Sequence, residues 1–87
     1  VRTATWYGPG LYGRRTACGQ RLTSRLRGVA HKRLPCGTPV TLHRGGRFVT
    51  VRVVDRGPFV DGVTFDLTAA TARSLGLRVT QRIRAAY

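Results

Sequence analysis

The stretch that most constrains the fold is VTLHRGGRFVTVRVV, residues 40–54. Residues 40–43 and 48–54 alternate apolar and polar side chains, and Gly45 and Gly46 separate the two runs. Alternation at a period of two around a two-glycine connection predicts an antiparallel β-hairpin. Any fold for this chain must therefore contain a β-sheet with one buried face.

Weaker patterns on both sides of the hairpin predict more strands. Residues 2–7, 29–30, 63–67 and 77–87 are rich in β-formers or alternate apolar and polar side chains. The period changes only in TAATARSLG, where Thr68 is an N-cap candidate and Gly76 holds the position that favours glycine after a helix. Six or so strands and one short helix predict a single all-β domain spanning residues 1–87. A small closed barrel would hide its strand edges.

The two cysteines, Cys18 and Cys36, fit one disulfide. A chain of 87 residues builds a modest core, and a disulfide persists in secreted proteins of this size. Two reduced, buried thiols in a cytosolic protein are the alternative. No signal peptide is visible at Val1, which fits either a cytosolic protein or a mature secreted one.

The charge balance predicts attraction to polyanions. Sixteen Lys and Arg face three Asp and no Glu, which gives a net charge of +13. The cations are spread along the chain without a nucleic-acid-binding module, so no specific nucleic-acid partner is predicted. His31 and His43 do not pair with the cysteines at metal-ligand spacing. We expect a monomer with no metal, no cofactor and no membrane partner.

Three stretches resemble the double-psi β-barrel domain of the rare lipoprotein A family: TATWYGPGLYGRRTACGQ, GVAHKRLPCGTPVTL and VTVRVVDRGPFVDGVTFDLTAATARSLGL. WYG, AHK.LP.GT and DRGPF followed by DLT.A.A..LG stand in that family's order and spacing, from about Thr3 to Leu77. The resemblance implies a six-stranded double-psi β-barrel with one short helix. It also implies the activity of that family, whose members are bacterial lytic transglycosylases that act on peptidoglycan. The cysteines look like those of a secreted branch of the family.

The same resemblance implies candidate catalytic residues. Asp55 matches the carboxylate proposed as general acid or base, and His31 matches a histidine beside it. A turn-capping role is the alternative for Asp55. Gln20 stands where the family usually has Glu, and an amide cannot exchange a proton. We therefore expect Asp55 to lack a like-charged neighbour and to remain ionised.

The other polar candidates have structural interpretations. Asp66 precedes the predicted helix and is expected to cap its N-terminus or to accept hydrogen bonds from backbone amides. Asp61 is expected to be a turn residue beside Gly62, and His43 a surface residue of the hairpin.

The missing Glu favours a function without catalysis. Small, basic, secreted double-psi barrels of the streptomycete papain-inhibitor type resemble this chain in size, charge and lone cysteine pair. We therefore expect a secreted, extracellular inhibitor of papain-like cysteine proteases whose contact loops present Leu11, Tyr12, Phe59 and Val60. Peptidoglycan lytic transglycosylation through Asp55 is the alternative, and cell-wall glycan binding is the second alternative.

Overall fold

A computed structural model describes residues 1–87, and its elements follow the predicted order. The strands and the helix are β1 (Arg2–Tyr7), β2 (Val29–Ala30), β3 (Pro39–Arg44), β4 (Arg47–Asp55), β5 (Phe65–Thr68), α1 (Ala69–Leu75) and β6 (Gln81–Ala86). The last strand is shorter than predicted and begins only at Gln81.

The six strands close into a barrel in the order β1-β5-β2-β4-β3-β6. β1 runs parallel to β5 and β2 runs parallel to β4, whereas the remaining four pairs are antiparallel. The predicted hairpin is confirmed: β3 and β4 pair from Pro39–Arg52 to Arg44–Arg47 around a two-residue turn. Gly45 has a φ of 58° there, a conformation that glycine adopts without strain. Closure leaves no free sheet edge.

The core fills the barrel with side chains from alternate strand positions. Phe65, Leu67, Val40, Leu42 and Val53 are fully buried, together with residues of the helix. Burial of this apolar surface is the main favourable contribution to folding. The outward-facing positions of the same strands are therefore available for polar side chains.

The helix begins and ends where the sequence predicts. The Thr68 hydroxyl accepts a hydrogen bond from the backbone N–H of Thr71, and Gly76 adopts the left-handed conformation that ends the helix. Thr71 is fully buried and exchanges two hydrogen bonds with the backbone of Gly28, at 2.8 and 3.1 Å. These bonds fix α1 against the segment that enters β2.

The predicted disulfide between Cys18 and Cys36 is confirmed. It joins the long irregular segment after β1 to the turn before β3. α1, the one helix, has seven residues, too few to cross a membrane.

Candidate active site

The candidate site lies on the outer face of the barrel wall that β4, β2 and β5 form. Val53 pairs with Val29, but the next pair joins Asp55 to Ala30, so Val54 is an extra residue in β4. A bulge of this kind changes the face to which the following side chain points. Val53 points into the core, and Asp55 is turned outward.

A second aspartate stands on the same face. Ala30 pairs with Asp55 on one side and with Asp66 on the other. Two strand spacings separate the Cα atoms of the aspartates by roughly 10 Å. Asp66 alternates with the core residues Phe65 and Leu67, so its side chain also points outward. We call this outer face, with Asp55 and Asp66, the carboxylate wall.

Three hydrogen-bond donors hold the Asp55 carboxylate. The Tyr7 hydroxyl donates to Oδ2 at 3.2 Å, and the backbone N–H groups of Ala17 and Arg56 donate to Oδ1 at 2.8 and 2.9 Å. These donors use the acceptor capacity of an ionised carboxylate. A turn-capping hydrogen bond is therefore present, from the N–H of Arg56, and two longer-range donors add to it.

Asp66 has the opposite environment. Its Oδ1 atom is buried and has no hydrogen-bond partner. Burial, and then the charge of Asp55, raises the pKa of Asp66 to about 6. Asp66 therefore keeps its proton to a higher pH than an ordinary aspartate does.

Two expectations about these residues were wrong. Asp66 does not cap the helix, because it lies within β5 and Thr68 is the N-cap. Asp55 does not lack a like-charged neighbour, because its charge reaches Asp66 across β2. The closed barrel order places Asp66 beside β2, and a linear pattern does not specify which strands become neighbours.

Tyr7 was not a predicted catalytic residue, yet its hydroxyl donates a hydrogen bond to a carboxylate of the wall. Burial, and then the charge of Asp55, raises the pKa of the Tyr7 hydroxyl far above its ordinary value. The hydroxyl therefore stays protonated and donates to Asp55 at any pH near neutrality. The alternation of β1 was visible in the sequence, but its parallel pairing with β5 was not.

His31 follows β2, and its ring packs against Phe65 and Tyr87, with ring centroids 5.2 and 6.1 Å apart. The ring is also held by its own loop. Its Nδ1 accepts hydrogen bonds from the backbone N–H groups of Arg33 and Leu34, both at 3.0 Å. Burial, and then the positive charge of Arg56, lowers the pKa of His31, so the ring is neutral with its proton on Nε2. The backbone N–H of His31 donates to the Asp55 carbonyl at 3.2 Å, but no hydrogen bond joins the ring to either carboxylate.

Gln20 shapes the loop that contacts Asp55. Its side-chain oxygen accepts a hydrogen bond from the Thr16 hydroxyl at 2.9 Å, and its carbonyl accepts from the Thr16 N–H at 2.7 Å. These bonds close the turn that carries Ala17, whose amide binds Asp55. The amide at position 20 thus supports the site through backbone geometry.

The disulfide holds two loops against the end of β4. The N–H of Cys18 donates to the carbonyl of Val54, the bulged residue, at 3.1 Å. The N–H of Gly37, next to Cys36, donates to the carbonyl of Val53 at 2.8 Å. The covalent link therefore joins the two segments that fix the bulge from which Asp55 projects.

The four proposed loop residues stand apart from this arrangement. Phe59 and Val60 are 81% and 61% exposed in the segment between β4 and β5, and Leu11 and Tyr12 are partly exposed after β1. None of the four hydrogen bonds to a carboxylate of the wall. Tyr12 instead lines a hollow of about 290 Å³ with Trp6 and residues of α1. Asp61 is exposed in a turn, and His43 is exposed on the hairpin.

The closed mixed barrel with its single helix is a double-psi β-barrel. Residues 2–87 match the sequence model of the family described as "Lytic transglycolase". The chain belongs to this family, which is that of the rare lipoprotein A-like double-psi barrels.

Curated relatives are similar to this chain over most of its length. The chain is 50% identical over 76 residues to the "Probable endolytic peptidoglycan transglycosylase RlpA" of Synechocystis sp., covering 85% of this chain and 24% of the relative. It is 42% identical over 76 residues to the endolytic peptidoglycan transglycosylase RlpA of Campylobacter jejuni, covering 85% and 28%. It is 40% identical over 86 residues to that of Pseudomonas aeruginosa, covering 97% and 25%.

These similarities overturn the expectation of a protease inhibitor. The chain spans only about a quarter of these three relatives, but all three are named as peptidoglycan transglycosylases. The prediction of a papain-like protease partner was therefore wrong. It relied on size, basicity and a cysteine pair, none of which is a contact site, and it assumed that Asp55 had no acidic neighbour.

Proposed function

We propose that this domain cleaves the glycan strands of peptidoglycan by lytic transglycosylation, with the carboxylate wall as its active site. One observation carries the proposal: an outward-facing carboxyl, Asp66, has a buried unpartnered oxygen and a raised pKa beside the hydrogen-bonded carboxylate of Asp55. Pairs of carboxyls in contrasting environments are typical of glycosidic bond cleavage. The names of the relatives supply the substrate class.

The chemistry follows from one proton donor and a nucleophile within the substrate. The protonated carboxyl of Asp66 donates its proton to the leaving glycosidic oxygen, and the bond from that oxygen to the anomeric carbon breaks. A hydroxyl of the same sugar then forms a bond to the anomeric carbon and returns its proton to Asp66. The product is an anhydro-sugar, no water is consumed, and the enzyme regains its starting protonation state.

In this proposal, Asp55 has a different role from the general acid or base that the family resemblance implied. Its carboxylate already accepts three hydrogen bonds, which suits an ionised group better than a proton donor. We assign it to stabilising the positive charge that develops on the sugar ring and to keeping the proton on Asp66. Asp55 thus remains a catalytic residue of the proposal, and Tyr7 positions it.

His31 enters the proposal as a positioning residue. Its carbonyl and that of Leu34 accept hydrogen bonds from the Arg56 guanidinium at 3.2 and 2.7 Å, and Arg56 directly follows Asp55. The His31 ring fixes this loop through Nδ1 and leaves Nε2–H free to donate to a substrate oxygen.

We infer that the domain acts outside the cytoplasmic membrane, where peptidoglycan lies and where a disulfide persists. Release of the domain into the extracellular medium is a finer prediction, which the substrate class does not require.

The test is muropeptide analysis of purified peptidoglycan incubated with the domain. Wild type is expected to release products with anhydro ends, and Asp66→Asn and Asp55→Asn to lower the rate by a factor of about 100 or more. Asp61→Asn is the matched control, because Asp61 is exposed in a turn and should retain wild-type activity. Binding of glycan without anhydro products from wild type would contradict the proposal and favour a glycan-binding role.

A further inference from the structure

A second hollow opens on the surface of the barrel. It has a volume of about 970 Å³ and is lined by residues of β3, its hairpin turn and β6. In the closed order β1-β5-β2-β4-β3-β6, β3 stands opposite β5 and β6 stands opposite β2. The hollow therefore occupies the side of the barrel opposite Asp66 and Ala30.

Three arginines line this hollow. Arg82 and Arg84 are exposed and alternate with the core residue Ile83, so both guanidinium groups lie on the outer face of β6. Their Cα atoms are about 6.8 Å apart, the rise of two strand residues. Arg44 also lines the hollow and donates from Nε to the side-chain oxygen of Gln81 at 3.0 Å. We call Arg44, Arg82 and Arg84 the arginine face.

No carboxylate neutralises the arginine face. The three aspartates of the chain lie between Asp55 and Asp66, at the end of β4, in β5 and in the loop that joins them. Arginine side chains in this structure donate to backbone carbonyls, to Gln81 and to Cys36, and none donates to a carboxylate. The side chains of Arg82 and Arg84 make none of these bonds. Their donors are free for a ligand.

A stacked pair borders the face. His43 lines the hollow and pairs with Arg84 across β3 and β6. Its ring stacks on Phe48 with centroids 5.7 Å apart, and Phe48 is 66% exposed. One such pair offers an apolar surface for a short hydrocarbon unit. A single-stranded nucleic acid instead favours a series of aromatic residues on which successive bases stack.

We propose that the arginine face is a binding site for a linear polyol-phosphate polymer of the cell envelope. Guanidinium groups bind phosphate oxygens in pairs of parallel hydrogen bonds. Arg82 and Arg84 bind successive phosphates of one chain, and the His43–Phe48 pair contacts the polyol between phosphates. Because the arginine face and the carboxylate wall lie on different strands, polymer and glycan can be bound at the same time. This binding does not depend on cleavage at Asp66.

The test measures binding of purified poly(glycerol phosphate) by calorimetry at about 50 and about 200 mM salt. The variant Arg82→Gln/Arg84→Gln is expected to bind at least about tenfold more weakly, with a salt dependence shallower by roughly 1.4 in log–log slope. The matched control is Arg25→Gln/Arg27→Gln. These arginines are also exposed, two residues apart and free of side-chain hydrogen bonds, and the change in net charge is the same. The control should stay within about threefold of wild type.

Three results would overturn the proposal: equal losses in both variants, no binding at low salt, or equally tight binding of a single-stranded DNA oligonucleotide with the same dependence on Arg82 and Arg84. Circular dichroism checks that each variant is folded. Release of anhydro products from polymer-free peptidoglycan should be unchanged in Arg82→Gln/Arg84→Gln. A failure of polymer binding is thereby distinguished from a failure of the proposed cleavage.

Discussion

At the scale of single residues, folding makes the ionisation of Asp66 less favourable. Its pKa is about 6 when folded, whereas an unfolded aspartate has a pKa of about 3.9. Between these values the folded state binds more protons than the unfolded state. The contribution of Asp66 to stability is therefore fully present below about pH 4 and is lost as pH rises through about 6.

Asp66→Asn should remove this dependence. We expect the variant to be more stable than wild type at neutral pH by about 1–2 kcal/mol, a value reduced for the partial exposure of the side chain. Urea unfolding of both proteins from pH 4 to pH 7 measures the difference. Asp61→Asn serves as the control, with the pH dependence of wild type. Curves for wild type and Asp66→Asn that stay parallel over this range would contradict the assigned environment of Asp66.

Tyr7→Phe isolates the hydroxyl that donates to Asp55. The change keeps the ring and removes one hydrogen bond of 3.2 Å. We expect a loss of about 1 kcal/mol in unfolding free energy and a fall of about tenfold in anhydro-product release, because Asp55 loses one of its three donors. Chemical denaturation and initial rates measure the two effects. An unchanged rate would exclude Tyr7 from positioning Asp55.

At the scale of elements, local chemistry predicted more than long-range pairing did. Gly45 and Gly46 predicted the hairpin, and Thr68 and Gly76 predicted the bounds of the helix, because each signal acts within a few residues. The family resemblance supplied the barrel. Asp66 was misassigned because its neighbours come from β2 and β1, which are far away in sequence.

The bulge in β4 could not be read from the sequence either. The alternation of residues 48–54 fits an uninterrupted strand, and only the pairing with β2 shows Val54 to be an extra residue. The bulge turns Asp55 toward Asp66, so this irregularity decides whether the two carboxyls form one site.

The attachment of α1 to β2 gives a prediction at this scale. Thr71→Val keeps the shape of the side chain but leaves the buried N–H of Gly28 without its partner. We expect a loss of about 1–3 kcal/mol in unfolding free energy, measured by denaturation. Thr50→Val is the control, since Thr50 is exposed and its hydroxyl contacts only Thr41. The control should change stability by less than about 0.5 kcal/mol. Equal losses of stability in the two variants would show that the buried hydrogen bonds of Thr71 contribute no more than an exposed hydroxyl pair does.

At the scale of the whole molecule, the disulfide contributes both to the stability of the fold and to the geometry of the site. Cys18 and Cys36 are 18 residues apart, and a closed loop of that length contributes about 3 kcal/mol in the chain-entropy account. We expect Cys18→Ala/Cys36→Ala to lose about that much stability. It should also lose activity at temperatures where it remains folded, because the loop of Ala17 is no longer fixed to β4. Full activity in the folded variant would show that the site forms without the link.

The barrel also carries its paired carboxyl groups and its exposed arginines on different strands. The carboxylate wall occupies β4, β2 and β5, and the arginine face occupies β3 and β6. A net charge of +13 is thus distributed around a protein in which two of the three aspartates form one site. The three aspartates are close in sequence because they lie at the end of β4, in the loop that follows it and in β5.

The pH dependence of anhydro-product release from purified peptidoglycan tests the central claim most directly. If Asp66 is the proton donor, the initial rate should be highest below about pH 6 and should fall as pH rises through about 6, where Asp66 loses its proton. Asp66→Asn should abolish this rate, whereas Asp61→Asn should reproduce the wild-type curve. A wild-type rate that stays constant from pH 5 to pH 8, or that survives in Asp66→Asn, would contradict the account.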